Sequence, residues 1–191
     1  EDASEIPLDQ EGRIIATNKV RCRHVSDKMT VLLNVESGIA KELMQDATFV
    51  INRHGRIKNA ISSSGKHIVS PRLTDGGISL TDDGAVELHS HRRRKCPSGF
   101  EATQSWNYIG EGPAWVVVND DAEPFVRKGR NVFHGFVLAT DPWITPGRTC
   151  LIVNKKGQLL GHGISNCNSE EFATFSKGIA IKTRGGLRES V

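Results

Sequence analysis

With 191 residues, 37% of them apolar and 25% charged, the chain has the composition of a folded globular protein with room for one large domain or two small ones. No apolar run approaches the ~18 residues that cross a bilayer, and no secretory leader pattern is visible, which sets membrane-spanning and signal-led classes aside. The net charge of +3 is unevenly spread: residues 1–113 carry 15 basic and 15 acidic side chains, and residues 114–191 carry 10 and 7, an excess that permits phosphate binding without requiring it.

The chain opens on Glu1 rather than Met, as a fragment or a processed product would. Residues 1–30 are polar and mixed and are expected to form an N-terminal extension. Short strands are predicted at 13–16 and, from the run Met29-Thr30-Val31-Leu32-Leu33, at 29–33. Residues 37–44 read as a helix, with Ser37 as its N-cap and Ile39, Leu43 and Met44 on one face. Strands at 48–51, 57–61 and 67–70, separated by glycine-containing gaps, suggest successive hairpins. Residues 73–80 add a strand-turn unit, and 81–88 a helix capped by Thr81 or Asp82. A small α+β domain over 31–92 fits this order. Residues 93–113 break the rhythm and read as a basic, irregular linker, with Pro113 at the boundary.

From residue 114 a second pattern begins. A strand at 114–118 is followed by a helix at 121–128 ending on Gly129, strand character at 132–140 and a turn at 144–148. A hairpin with strands 149–154 and 159–165 turns on 155–158, then come a short helix at 169–175 and a closing strand at 177–184. Many short strands with two small helices predict a small closed barrel, so the fold class is α+β.

The sequence Val116-Val117-Val118-Asn119-Asp120 through Val132-Phe133 resembles the opening of a PUA domain. Ile144-Thr145-Pro146-Gly147-Arg148 resembles a later strand entry of that family, although Arg148 and Thr149 stand where an acidic pair is common. Leu159-Leu160-Gly161-His162-Gly163 and Lys177-Gly178-Ile179-Ala180 resemble its last strands. The match spans 114–188. Within PUA proteins, the phrase from Phe125 to Phe133 is closest to the archaeal tRNA-guanine transglycosylases. Gly55-Arg56-Ile57-Lys58-Asn59 and Ser70-Pro71-Arg72-Leu73-Thr74-Asp75-Gly76 resemble the domain before the PUA module there, with departures at Pro71 and at Gly77-Ile78.

The resemblance implies a PUA-type β-barrel with short helices that grips tRNA in archaeosine-type modification. It implies tRNA as partner; a catalytic transglycosylase subunit and a second copy of this chain are further candidate partners, and neither a cofactor nor a membrane is expected. Archaeosine chemistry needs an aspartate nucleophile in a barrel and a cysteine-rich zinc site, and neither the length nor the cysteine spacing here supplies them. The expectation is therefore a non-catalytic RNA-gripping half, cut from a longer chain or encoded separately. An rRNA-binding biogenesis or translation factor and a regulatory module of a metabolic enzyme are the alternatives.

Physical reasons single out particular residues. Gly129 can end a helix at φ > 0, and a backbone without a side chain also lets RNA come close. Arg127, Lys128 and Arg130 bracket it and can bind phosphate, or can simply occupy a solvated helix end favoured by the dipole. Asn131 and Gly135 complete that phrase. Lys182 and Arg184 alternate on the last strand and so share a face. Arg92, Arg93 and Arg94 form the densest positive cluster, read either as a flexible arm along RNA or as a solvated loop. Phe133, Phe136 and Trp143 are expected in the core. The spacings of Cys22 with His24 and of His89, His91 and Cys96 match no familiar zinc finger, so no metal site is assigned, and no catalytic constellation can be defended. Four scattered cysteines suit a reducing cytoplasm.

Overall fold

The computed structural model describes residues 17–94 and 112–187. The predicted strand at 13–16, Cys96 and most of the predicted linker lie outside the described residues.

Helix α1 (Asn18–Leu33) starts where the Thr17 side chain accepts a hydrogen bond from the Val20 amide, and it ends on Asn34 in the left-handed region at φ 57°. Val25, Met29 and Leu33 repeat every four residues and form its buried stripe. This overturns the strand expected at 29–33. The apolar run is one end of a helical stripe that begins at Val25, and Val31 within it is 72% exposed. The boundary expected at residue 30 therefore falls inside a helix. Helix α2 (Ser37–Met44) follows and buries Ala40 and Met44, with Glu36 rather than Ser37 at its N-cap.

Strands β1 (Thr48–Ile51), β2 (Ile57–Ile61), β3 (His67–Pro71) and β4 (Ile78–Leu80) form an antiparallel meander in sequence order. Helix α3 (Asp82–Arg94) packs on β3, and Thr81 caps it by accepting from the Gly84 amide at 3.1 Å. It runs six residues past its predicted end, so the start of the predicted linker is helical.

The second sheet has the order β6-β10-β9-β8-β5-β7, from β5 (Ala114–Val118), β6 (Val132–Phe133), β7 (Val137–Thr140), β8 (Thr149–Val153), β9 (Leu159–Ser165) and β10 (Ile179–Gly186). Among the described strands, only the β5–β8 pair is parallel. The edge strands β6 and β7 are joined through one 3-10 turn, His134–Phe136, which brings the sheet ends together into a nearly closed barrel. That turn interrupts the continuous strand expected at 132–140. Short helices α4 (Glu123–Val126) and α5 (Ser169–Thr174) flank the barrel, and Asn168 and Glu171 form a capping box at α5.

Strand alternation divides β5 and β8 between two cores. Val116, Val118, Cys150 and Ile152 face the barrel interior, whereas Trp115, Val117, Leu151 and Val153 join the core built by α1, α2, α3 and the meander. All five residues of β5 are buried, because the strand is covered on both faces. The two parts expected on either side of Pro113 thus share a hydrophobic core rather than hanging from a linker.

Candidate nucleic-acid interface

The phrase around Gly129 is held by backbone geometry. The Gly129 amide donates to the Val126 carbonyl at 2.8 Å, and the Arg130 amide to the Phe125 carbonyl at 3.0 Å. This is the Schellman pattern of a helix that turns left-handed after its last residues, with Gly129 at φ 75°. Asn131 then ties the turn to β10: its side-chain oxygen accepts from the Thr183 amide at 3.1 Å, and the Thr183 hydroxyl donates to the Arg130 carbonyl at 2.8 Å. Lys182 and Arg184 flank Thr183, and both are exposed, as are Lys128, Gly129, Arg130 and Asn131. The structure therefore brings these six predicted residues together where the Gly129 turn meets β10. No carboxylate among the described residues pairs with Lys128, Arg130, Lys182 or Arg184.

Gly186 lets this arrangement close. A Cβ there would stand 2.4 Å from the Val126 carbonyl oxygen and 2.6 Å from the Gly129 nitrogen, so the end of β10 lies directly against the α4 turn. Gly135 sits in the 3-10 turn, where an added Cβ would meet only the Ser176 carbonyl oxygen at 3.7 Å, so the local fold does not demand glycine there.

Arg127 differs from its neighbours. It is half-buried, grips Glu123 through Nε and Nη2 at 3.1 and 2.8 Å, and donates from Nη1 to the Leu187 carbonyl at 3.1 Å. Glu123 also accepts from Asn154, whose side chain organises the β8–β9 hairpin. Arg127 is thus a tie between α4, the end of the barrel and that hairpin.

Arg92 requires a correction. It is not part of a flexible arm: it is 3% exposed on α3, and its guanidinium meets the Asp141 carboxylate through two hydrogen bonds of 2.6 and 3.0 Å. The guanidinium also lies 4.2 Å from the Trp115 ring centroid and 5.4 Å from that of Trp143. A charge so buried survives only when paired, and the pairing removes Arg92 from any RNA-facing surface. Arg93 and Arg94 follow it on the last turn of α3. His89 belongs to the same junction, stacked on Trp115 with centroids 5.2 Å apart and donating from Nε2 to the Gly157 carbonyl at 2.8 Å. Phe133 also departs from expectation. It is 48% exposed beside Ile179, its β10 partner, while Phe136 and Trp143 pack against the barrel core.

Sequence reasoning missed the cleft between the meander and the barrel, about 300 Å³, where Arg72 and Arg184 face His162. His162 is buried and donates from Nε2 to Asp82 at 2.9 Å; burial pushes its pKa below the ordinary histidine value, and the carboxylate opposes that shift only in part. The thiols of Cys150 and Cys167 offer little nucleophilicity, since burial drives Cys150 up to about 12 and raises Cys167 as well.

Residues 114–187 match the family model described as the PUA domain. The chain is 35% identical over 150 residues to the tRNA-guanine(15) transglycosylase of Thermococcus onnurineus (strain NA1), a match covering 78% of this chain and 23% of that protein. The corresponding enzyme of Pyrococcus furiosus gives the same identity and coverage, so the chain spans less than a quarter of the length of these curated relatives. The fold is similar to that of a hypothetical protein from Pyrococcus horikoshii OT3, with a TM-score of 0.62 at 16% identity, covering 91% of this chain and 93% of that one. The barrel, residues 114–187, is a PUA domain, and over 78% of its length the chain is similar to the archaeal tRNA-guanine transglycosylases.

Proposed function

We propose that this chain grips tRNA for an archaeosine-type tRNA-guanine transglycosylase, with Lys128, Gly129, Arg130, Asn131, Lys182 and Arg184 lying along the phosphate backbone. The base exchange then belongs to a catalytic transglycosylase partner, and this chain supplies affinity and register without chemistry of its own. One observation carries the assignment: the hydrogen bonds of Thr183 lock the Gly129 turn beside β10, so four cations free of carboxylate partners among the described residues are gathered about one preorganised junction. Folded RNA is recognised largely through shape, phosphates and 2′-hydroxyls, and fixed cations around an open glycine backbone suit that mode. The similarity to transglycosylases over 150 residues supports tRNA as the substrate class.

The test is a gel-shift titration of a tRNA transcript at two salt concentrations. Affinity should fall steeply with salt, because each phosphate contact releases counterions. Charge reversal at Lys128, Arg130 and Lys182 together should weaken binding by at least about tenfold and flatten the salt slope by about one for each phosphate no longer neutralised. Unchanged affinity in that variant would falsify the assignment, and equal competition by an rRNA fragment would remove tRNA as the specific partner.

A further inference from the structure

Arg72, which lines the meander–barrel cleft, also lines a groove of about 380 Å³ between α1 and the turns that join β1 to β2 and β3 to β4. Arg21, His24 and Lys28 enter it from successive turns of α1, while Arg56 and Arg72 enter from the two hairpin tips. Among the described residues, no acidic side chain lines it. The Asp75 carboxylate lies beside it, bound to Arg72 at 2.9 and 3.0 Å, and neutralises that one cation in part. Lys28 is steered toward the hairpin by donating to the Gly76 carbonyl.

A protein that only needed solvated surface charge would scatter these groups or pair them. Here Arg21, Lys28 and Arg56 converge on one groove with no carboxylate partner among the described residues. Val20 and Leu73, at 40% and 44% exposed, give the same groove apolar walls. The groove also continues toward the PUA face. Arg72 lines both it and the meander–barrel cleft, whose other wall carries Arg184 of β10. A basic track therefore crosses from the barrel onto the α1–meander layer.

We infer that this groove is a second phosphate-contact site, taking a nucleic-acid strand whose backbone continues from the PUA surface. The inference rests on the RNA-binding assignment above. The cations supply phosphate contacts, and the apolar walls lie against sugar and base edges. Sequence information is not needed for either contact, so the groove adds affinity and register.

The experiment uses the full chain and a tRNA transcript, with binding measured over a salt series and by nuclease protection. Arg56→Gln should lower the salt slope by about one, and Lys28→Gln with Arg56→Gln by about two, with affinity falling about tenfold at low salt. A region of RNA protected in the wild type should become cleavable in the double variant, and it should differ from the region uncovered on reversing Lys128, Arg130 and Lys182. Thermal unfolding of each variant checks that the fold is retained, and Arg56→Gln serves alone if the double variant is unstable. If the groove variants bind with wild-type slope and footprint while the PUA variants weaken, the groove proposal is wrong and the tRNA assignment stands. If wild-type binding does not respond to salt, both fall together.

Discussion

Gly129 occupies φ 75°, yet an added Cβ would meet no atom within 4 Å, so glycine is required there by conformation and not by space. An L-residue pays about 1 kcal/mol or slightly more for that left-handed geometry, and asparagine less, because its short polar side chain bonds locally. Gly129→Ala should therefore lower unfolding stability by about 1 kcal/mol in urea titrations, with Gly129→Asn intermediate. His162 sets a pH dependence of definite sign. Its folded pKa lies below the unfolded value, so in the intervening window the unfolded chain binds the extra proton and stability rises with pH. The contribution is complete above the unfolded value of about 6.5 and drains away as pH falls below it. Urea titrations at neutral and at mildly acidic pH should show a loss on acidification that is smaller in His162→Gln than in the wild type. An equal loss in both would place the acid sensitivity elsewhere.

At the level of elements, the approach of β10 to α4 is a tight constraint near the interface. Gly186→Ala would drive a methyl into the Val126 and Arg127 carbonyls and the Gly129 amide, at 2.4 to 2.7 Å. Backbone cannot yield as a flexible side chain does, so the turn should move off the strand at a cost of about 1–3 kcal/mol. RNA affinity should fall with it, although no charge is altered; calorimetric melting and the gel shift together check this. The meander is legible in the sequence because glycine-bearing turns punctuate it and each strand carries its own local pattern. Helix α1 is not, because its stripe from Val25 to Leu33 is sparse and embedded among charged residues, leaving the terminal apolar run to imitate a strand. The Gly129 phrase is legible because its residues are contiguous. The groove cations are not, since Arg21 and Lys28 come from α1 and Arg56 and Arg72 from two separate hairpin turns, and only the fold collects them. Arg92 misleads for a related reason: in sequence it is one of four adjacent cations, and its carboxylate partner lies 49 residues away.

At the scale of the whole molecule, the junction decides whether the two layers behave as one unit. Trp115 and Val117 project from the barrel's β5 into the core of the α1–meander layer, and the Arg92–Asp141 pair closes the same seam. Far-ultraviolet circular dichroism and tryptophan fluorescence should therefore follow a single coincident unfolding transition. Breaking the pair by Arg92→Ala strands a buried carboxylate and should cost about 3–5 kcal/mol. Replacing both partners with apolar residues of similar size removes the stranded charge, which in a simple buried ion pair often restores stability altogether. Asp141 has a second duty, because its Oδ2 accepts from the Trp115 amide at 2.7 Å. Removing that acceptor orphans a buried backbone N–H at about 1–3 kcal/mol. Arg92→Met with Asp141→Leu should thus recover part of the stability that Arg92→Ala forfeits and remain below the wild type by about that smaller amount. Full recovery in the double variant would mean that the amide finds another partner and that the seam depends on packing alone.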